Sequence, residues 1–221
     1  MMPVTYEMVR TSAEINTYIQ QADASLIALG FTEHSFAHVT RCAQVASWLL
    51  GEMGADERQV ELARIAAYMH DIGNLINRVD HAQSGAVMAF RILDKMGMPP
   101  ADTALVVTAI GNHDEGTAYP VNGVAAALIL ADKTDVRRSR VRNRDTITFD
   151  IHDRVNWAVQ AADLDLDKQR MTLTLRIDLD TQVCAVMDYF EIFLTRMLLC
   201  RKAAEYFKLN FRLAVNGQTL L

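Results

Sequence analysis

Cysteine and proline are scarce in this chain. It contains three cysteines, Cys42, Cys184 and Cys200, and no two of them have the CxxC spacing of a structural zinc site. The odd number and the spacing argue against a disulfide framework and favour a reducing compartment, with the thiols buried as small apolar groups. With four prolines in 221 residues, long segments of the chain are free to be helical.

The chain also lacks a long apolar run and an excess of positive charge. No segment approaches the roughly 20 apolar residues that span a bilayer. The first residues show no basic stretch followed by an apolar one, so no signal peptide is predicted. The net charge of −5 argues against general attraction to nucleic acid or anionic membranes. We therefore expect a cytoplasmic protein that does not bind membranes and does not have nucleic acid as its partner.

Apolar residues are abundant, at 51% of the chain, and through the first two thirds they recur at helical spacing. Thr11 and Glu14 form a capping-box pattern at the start of the first helix, and Asp56 is a candidate cap for the third. The pattern predicts six helices, over about residues 11–30, 34–50, 56–73, 83–96, 99–110 and 122–135. Six helices joined by short turns favour a compact helical bundle.

The pattern changes near residue 145, where polar and apolar residues begin to alternate as in strands. The predicted elements are strands over 146–149, 155–166, 171–178 and 211–215, with a long helix over 183–208 and a turn at Asn216-Gly217. The sequence therefore predicts a mainly α protein with a helical domain over residues 1–144. A small α+β subdomain follows over residues 145–221.

Histidine and aspartate stand at the ends of strongly apolar helices. His70 and Asp71 follow the apolar segment 62–69, and Asp132 follows the apolar segment 124–131. A carboxylate buried in such a setting costs several kcal/mol unless it is paired or bound to a metal. Imidazole and carboxylate ligands together suit zinc, iron, manganese or nickel. These residues therefore predict a metal site.

The order His, then His-Asp, then Asp resembles the signature of the HD-domain metal-dependent phosphohydrolases. The matching stretches are 38–41, 68–74 and 129–133, and the most specific part is His-Asp-Ile-Gly after an apolar helix. The stretches 81–85 and 112–115 resemble the added histidines of the bimetallic branches, including the HD-GYP-like phosphodiesterases. The GYP element is absent, so cleavage of a cyclic dinucleotide is not inferred. The resemblance covers about residues 30 to 140.

The resemblance implies an HD-domain helical bundle and a role for each matching residue. One divalent ion would be held by four side chains and a second by two more, with Asp71 bridging them. The first set is His38, His70, Asp71 and Asp132, and the second is His81 and His113. The ions, one or two in number, would be iron, manganese, nickel, cobalt or zinc, and would activate a water. Lys133 would neutralise a substrate phosphate, or would be a solvated lysine at a helix end.

Several other polar residues lie near these motifs. Asn74 and Arg78 reach substrate or serve the structure, and His34 is either a partner of His38 or a surface histidine. The pair His152–Asp153 is interpreted as structural, because it follows a strand-like segment rather than an apolar helix. The arginine-rich segment 137–144 is a solvated or structural face, an anionic-substrate contact or a weak nucleic-acid patch.

The predicted function is hydrolysis of a phosphate mono- or diester, in a nucleotide or another small phosphorylated molecule, by a metal-activated water. Two alternatives stay open. Some members of the family place two irons on the same four-His, two-Asp set and use dioxygen to oxidise their substrate. Others lose catalysis and act as regulatory modules that bind nucleotides. A homodimer is also left open by the sequence.

Overall fold

The chain divides into two compact units, Met1–Asp132 and Lys133–Leu221. The structure, a computed structural model, describes residues 3–142 and 151–220, without the side chains of residues 151 and 152. The domain boundary predicted between residues 144 and 145 lies outside the described residues, as does the strand predicted over 146–149. Within the described ranges, no helix has both the length and the apolar character needed to cross a membrane.

The first unit is built from helices, with α7 ending one residue beyond it. They are α1 (Tyr6–Arg10), α2 (Ala13–Ala28), α3 (Phe36–Glu52), α4 (Glu57–Met69), α5 (His81–Lys95), α6 (Pro100–Gly111) and α7 (Gly123–Lys133). A 3-10 turn over Ile72–Leu75 follows α4. The six predicted helices are all present, and α1 is an additional short helix. The predicted helical bundle is confirmed.

Side-chain caps explain where several of these helices begin. The Ser35 hydroxyl accepts a hydrogen bond from the Ala37 amide at the start of α3, and the Asp56 carboxylate accepts one from the Gln59 amide at the start of α4. The expected capping role of Thr11 is wrong. Ser12 caps α2, whereas the Thr11 hydroxyl donates to the Glu7 carbonyl at the end of α1. Thr11 is the C-cap of the short helix α1, which the sequence analysis did not predict.

Helix α5 begins two residues earlier than predicted, at His81 rather than Gln83. The N-cap residue before it, Asp80, has φ = 57°, in the left-handed region that few non-glycine residues adopt. The chain thus turns sharply between the 3-10 turn and α5. This places the His81 side chain at the first position of a helix rather than in a loop.

Packing in the first unit brings the helices into pairs. Helix α3 packs on α4, α5 on α6, and α4 on α6, while α2 and α5 both contact the 3-10 turn after α4. Large, fully buried aliphatic side chains on these helices include Leu49, Leu62, Ile65 and Ile110. The segment that follows α4 therefore lies inside the bundle, surrounded by helices, and not on its surface.

The second unit is a small α+β structure. Its elements are α8 (Ile151–Ala158), β1 (Val159–Asp167), β2 (Thr172–Leu179), α9 (Val186–Tyr206), β3 (Asn210–Val215) and β4 (Gln218–Thr219), with a 3-10 turn over Arg138–Arg140. Strand β2 pairs antiparallel with β1 and parallel with β3, which pairs antiparallel with β4. The predicted extension is confirmed, with one correction. Residues 155–158 were expected in a strand but end the helix α8.

Candidate metal centre

Four histidines and two aspartates of the first unit converge inside the helical bundle. They occupy helix ends or the first turn of a helix. His38 lies in the first turn of α3, His70 and Asp71 follow the last residue of α4, His81 opens α5, His113 follows α6, and Asp132 is the penultimate residue of α7. The four histidines are each at most 2% exposed and Asp71 is 6% exposed. The structure therefore brings together all six residues predicted to bind metal.

One part of this cluster, here called the first half, consists of His38, His70, Asp132 and one oxygen of Asp71. The two Nε2 atoms of His38 and His70 are 3.3 Å apart. Oδ2 of Asp71 lies 3.6 Å from the His38 Nε2 and 3.2 Å from the His70 Nε2. Oδ1 of Asp132 lies 3.4 Å and 3.9 Å from the same two nitrogens. Four donor atoms thus surround a small common space.

The second half consists of His81, His113 and the other oxygen of Asp71. The Nε2 atoms of His81 and His113 are 3.2 Å apart. Oδ1 of Asp71 lies 3.5 Å from the His81 Nε2 and 4.0 Å from the His113 Nε2. The two halves adjoin, because donor atoms of His70, Asp71 and His113 also lie within 4.8 Å of one another. Asp71 therefore turns one oxygen to each half.

Backbone carbonyls fix the tautomers of three of these histidines. The Nδ1 atoms of His70, His81 and His113 lie 2.7, 3.0 and 2.6 Å from the carbonyl oxygens of Ala67, Arg78 and Ile110. A carbonyl oxygen can only accept, so each Nδ1 must carry the hydrogen and donate it. In the neutral ring this leaves the lone pair on Nε2, which is the atom that faces the cluster. Such second hydrogen bonds orient histidines that bind metals.

The buried carboxylates of the cluster favour positive charge beside them. Burial opposes protonation of His70, yet the carboxylates of Asp71 and Asp132 outweigh it and raise the pKa of His70. Burial by itself would raise the pKa of Asp71, but the charges of His70, His34 and His81 hold this pKa well below its usual value. Two carboxylates in a buried pocket thus favour a cation between them and the imidazoles.

A buried oxygen of Asp71 supports the same conclusion. Oδ2 is inaccessible to solvent and accepts no hydrogen bond from any described residue. An ionised oxygen in that state is costly unless an ion binds it. The Nε2 lone pairs of neutral His81 and His113 face each other at 3.2 Å and repel unless a cation lies between them. The residues present therefore fit a divalent metal, and their imidazole and carboxylate donors match transition metals.

Asn74 and Arg78 support the cluster from the segment between α4 and α5. The Asn74 side-chain amide donates to Oδ1 of Asp71 at 2.9 Å, and Arg78 donates to the Asn74 Oδ1 at 3.3 Å. The Arg78 guanidinium also lies 3.4 Å from the Nε2 of His81 and 5.7 Å from the centre of the Phe31 ring. Asn74 is 2% exposed. Asn74 orients Asp71. Of the two roles that the sequence left open for Asn74, contact with substrate or support of the structure, this contact favours the second.

Close backbone packing joins the two halves. A Cβ atom added to Gly73 would stand 2.0 Å from the His81 carbonyl oxygen and 2.5 Å from the Gly85 amide nitrogen. The turn after α4 thus presses directly on the first turns of α5. Glycine at this position is required by that approach, because both neighbouring atoms belong to the backbone.

The remaining sequence candidates fall in different surroundings. His34 donates from Nδ1 to the Thr32 carbonyl, and its ring centre lies 5.6 Å from that of His38, so it neighbours the cluster. Lys133 belongs to the second unit and is 4% exposed, so the reading of a solvated helix-end lysine is wrong. Its contact with substrate stays a prediction. Asp153 is buried in α8, and the strand-like segment expected before it lies outside the described residues.

The described arginines of the segment 137–144 make contacts within the second unit. Arg137 and Arg140 bind Asp135, and Arg140 is 4% exposed. Arg138 donates to the Trp157 carbonyl, and its guanidinium lies 5.0 Å from the centre of the Trp157 ring. These contacts favour the structural reading of the segment.

Two residues near the cluster were missed as ligand candidates. Cys42 lies one turn after His38 on α3, and its Sγ is 3.7 Å from both ring nitrogens of that histidine. Asp114 places Oδ1 3.9 Å from the His81 Nε2. The i, i+4 spacing from His38 was the available signal for Cys42. For Asp114, the available signal was its position directly after His113.

Proteins similar to this chain include two curated relatives and a solved structure, each matching it in part. An uncharacterized protein of Methanocaldococcus jannaschii is 25% identical over 159 residues, which cover 62% of this chain and 61% of that protein. Ribonuclease Y of Cutibacterium acnes is 31% identical over 118 residues, which cover 50% of this chain and 20% of that protein. The chain thus spans less than two thirds of either relative.

The solved structure is that of a predicted HD superfamily hydrolase from an uncultured Thermotogales bacterium. It has 28% sequence identity and a TM-score of 0.45, over 56% of this chain and 67% of that one. The family model described as HD domain matches residues 35–192, which is more than half of the chain and includes all six convergent residues. Domains of this kind bind divalent metals. The chain belongs to the HD-domain family.

Proposed function

We propose that this protein is a metal-dependent phosphohydrolase that hydrolyses a phosphate mono- or diester in a nucleotide or another small phosphorylated molecule. The arrangement of Asp71 carries the proposal. One of its oxygens faces His38 and His70 at 3.6 and 3.2 Å, and the other faces His81 at 3.5 Å. A carboxylate placed between two sets of imidazoles is suited to holding two ions side by side, the arrangement that serves in-line displacement at phosphorus.

The residues of the chain supply the positioning. His38, His70 and Asp132 would hold one ion, His81 and His113 the other, and Asp71 both. When bound, such ions polarise a phosphoryl oxygen and lower the pKa of water so that it can attack. Asn74 keeps Asp71 in place through its 2.9 Å hydrogen bond. The carbonyl acceptors of the histidine Nδ1 atoms hold the rings, so that little reorganisation is needed during the reaction.

Access for a substrate is supported by the carboxylates at the edge of the cluster. The side chain of Asp132 is 11% exposed and that of Asp114 is 30% exposed, whereas the histidine side chains are at most 2% exposed. A substrate phosphate would approach on this side. The half-buried Arg78 guanidinium, 3.4 Å from His81, adds positive charge close by.

The relatives support the substrate class in outline. One of them is a ribonuclease by name, which supports a phosphodiester, although the match covers 20% of that protein. The net charge of −5 does not favour a long nucleic acid as the substrate. Small mono- and diesters are therefore the substrates to test first.

A metal-reconstitution assay tests the proposal. The protein would be stripped with a chelator and reloaded with manganese, nickel, cobalt, zinc or ferrous iron. Each form would be incubated, both with and without oxygen, with a panel of nucleotides and small phosphodiesters. We expect phosphate or phosphomonoester release that depends on the added metal. Turnover that requires iron and consumes dioxygen would favour the oxygenase instead. A rise in melting temperature with a nucleotide, without turnover under any metal, would favour a regulatory module.

A further inference from the structure

The long helix α9 of the second unit carries large apolar side chains on two opposite sides. Its inner side packs within the unit, where α9 contacts α8 and β3, and it includes the fully buried rings of Tyr189 and Phe193. Its outer side carries Met187, Leu194 and Leu198, which are 73%, 46% and 38% exposed. A helix that packs on one side only has polar residues on the other. The outer apolar residues of α9 therefore indicate a second packing surface.

These apolar residues belong to a regular row of exposed side chains, here called the α9 stripe. Its members follow one another in alternating steps of four and three residues, and all of them are exposed. In chain order they are Met187, Glu191, Leu194, Leu198, Arg201 and Glu205. A mean step of about 3.5 residues is the spacing at which two helices pack along each other over several turns. The stripe runs for about 27 Å along the helix.

The order of charges in the α9 stripe fits an antiparallel copy of itself. Glu191 and Arg201 lie at equal distances on either side of residue 196, and so do Leu194 and Leu198. A second α9 laid antiparallel about residue 196 would place each Glu191 against Arg201 of the partner subunit, and each Leu194 against Leu198 of the partner subunit. A parallel copy would place like charges against each other, which costs affinity. The stripe is therefore complementary to itself in one orientation only.

Arg201 is available for such a contact. Its side chain is 53% exposed, and its Nε lies 4.0 Å from Oε1 of Glu205, whose side chain is 65% exposed. An exposed pair of this kind within one helix contributes little to stability, because water solvates both charges. Arg201 can therefore bind a second carboxylate without a large loss.

We propose that two copies of this chain form a two-fold symmetric dimer through the α9 stripe, with their α9 helices packed antiparallel about residue 196. Such an interface uses the same surface on both subunits, so each contact occurs twice. Leu194 and Leu198 form its apolar centre, and Glu191 with Arg201 of the partner subunit closes each end. A single helix face is smaller than the roughly 800 Å² per partner of a standard interface, so the dimer is weak and reversible. This inference does not depend on the proposed phosphohydrolase activity.

Sedimentation equilibrium of the full chain, from low micromolar to submillimolar concentration, tests the proposal. We expect the mean mass of the native protein to rise with concentration from that of one chain towards that of two. Leu194→Gln removes an apolar contact that occurs twice, and it should raise the dissociation constant of the dimer by at least about tenfold. Val87→Gln is the matched control, because Val87 is a 70% exposed apolar residue on the helix α5 of the first unit. It should leave the dissociation constant unchanged.

A charge exchange tests the antiparallel arrangement. Glu191→Arg places a positive charge against Arg201 of the partner subunit at both ends of the interface, and it should raise the dissociation constant by at least about tenfold. The double variant Glu191→Arg with Arg201→Glu restores opposite charges across the interface. It should dimerise more tightly than Glu191→Arg alone. In a parallel dimer residue 191 would face its own copy, so Glu191→Arg would exchange one repulsion for another and leave the dissociation constant nearly unchanged.

Three results would overturn the inference. A native protein that keeps the mass of one chain at every concentration would mean that something other than a second copy covers the stripe. A dimer that neither Leu194→Gln nor Glu191→Arg weakens would use another surface. A double variant no tighter than Glu191→Arg would rule out the antiparallel pairing. Circular dichroism checks that each variant is folded, and Arg201→Glu, which places like charges at the same two contacts, replaces Glu191→Arg where that variant is not.

Discussion

The two halves of the metal cluster differ in the number of donors that the fold brings to them. In the first half His38 projects from the first turn of α3 and Asp132 from the last turn of α7, and with His70 and one oxygen of Asp71 they supply four donors. In the second half His81 opens a helix, and its neighbour Asp114 is 30% exposed. The second half has three donors, from His81, His113 and the other oxygen of Asp71. We therefore expect the first half to bind its ion more tightly, and the second to exchange its ion more easily.

The largest effect should follow from removing the residue that the two halves share. Asp71→Asn keeps the shape of the side chain but takes away the charge that both ions would bind. We expect activity to fall by more than about 100-fold, beyond the loss typical of a supporting residue at a metal site. Metal content by elemental analysis should fall in parallel.

Asp94→Asn is the control for this change, because Asp94 is an exposed carboxylate on α5. It should leave both metal content and activity unchanged. If Asp71→Asn retained two ions, Asp71 would not bridge the two halves, and other residues would have to account for the binding of both ions.

Substitution of single histidines should show that each half binds its own ion. In His113→Ala the second half loses one of two imidazoles, while the first half keeps all its donors. We expect a protein that retains one ion, with an affinity for the second ion lowered by about 10- to 100-fold. In His38→Ala the stronger half is damaged, and calorimetric titration should show loss of the tighter binding step. Loss of the same step in both variants would mean that the cluster is one site.

Gly73→Ala should loosen the connection between the halves. The added methyl group would collide with the His81 carbonyl and the Gly85 amide, which are backbone atoms and cannot rotate away. Overpacking of this kind costs about 1–3 kcal/mol of unfolding free energy. Denaturant unfolding of the metal-free protein measures it. Gly51→Ala on α3 is the control, since nothing lies within 4 Å of a Cβ atom added there. This substitution should be neutral or slightly stabilising.

Arg78→Gln should produce the smallest change and affect the second half alone. The guanidinium lies 3.4 Å from the Nε2 of His81, the atom that the second ion would use. Removing this positive charge should strengthen binding of the second ion by about threefold to tenfold at low salt. Competition with a coloured chelator measures the affinity, and Arg91→Gln, an exposed change on α5, is the control. Weaker binding instead would show that Arg78 acts mainly by holding Asn74.

The helices of the first unit were predictable because their signals are local. The apolar spacing and the capping residue Asp56 are written within single turns of the chain, and the structure confirms them. The errors arose where elements compete for the same residues. Thr11 was taken as a cap, but the unpredicted α1 uses it, and Ser12 caps α2 instead. Residues 155–158 could extend either a helix or a strand, and in the structure they end α8.

The parallel pairing of β2 with β3 could not have been predicted in the same way. Local alternation marks each strand, but the partner is set by where α9 returns the chain. The same limit applied to Cys42. No metal-binding motif surrounds it in the sequence, so it was interpreted as a buried, small apolar residue. Proximity of its thiol to His38 and Asp132 depends on how α3 and α7 are arranged in the first unit.

The sequence by itself determined the chemistry available to this protein: which helices form, and that imidazoles and carboxylates end up on apolar segments where they need a partner. Only the tertiary structure decided how that chemistry is divided. It turned one oxygen of Asp71 to each pair of histidines and pressed Gly73 against α5. Distances between side chains far apart in sequence are set by the packing of helices, and no local pattern encodes them.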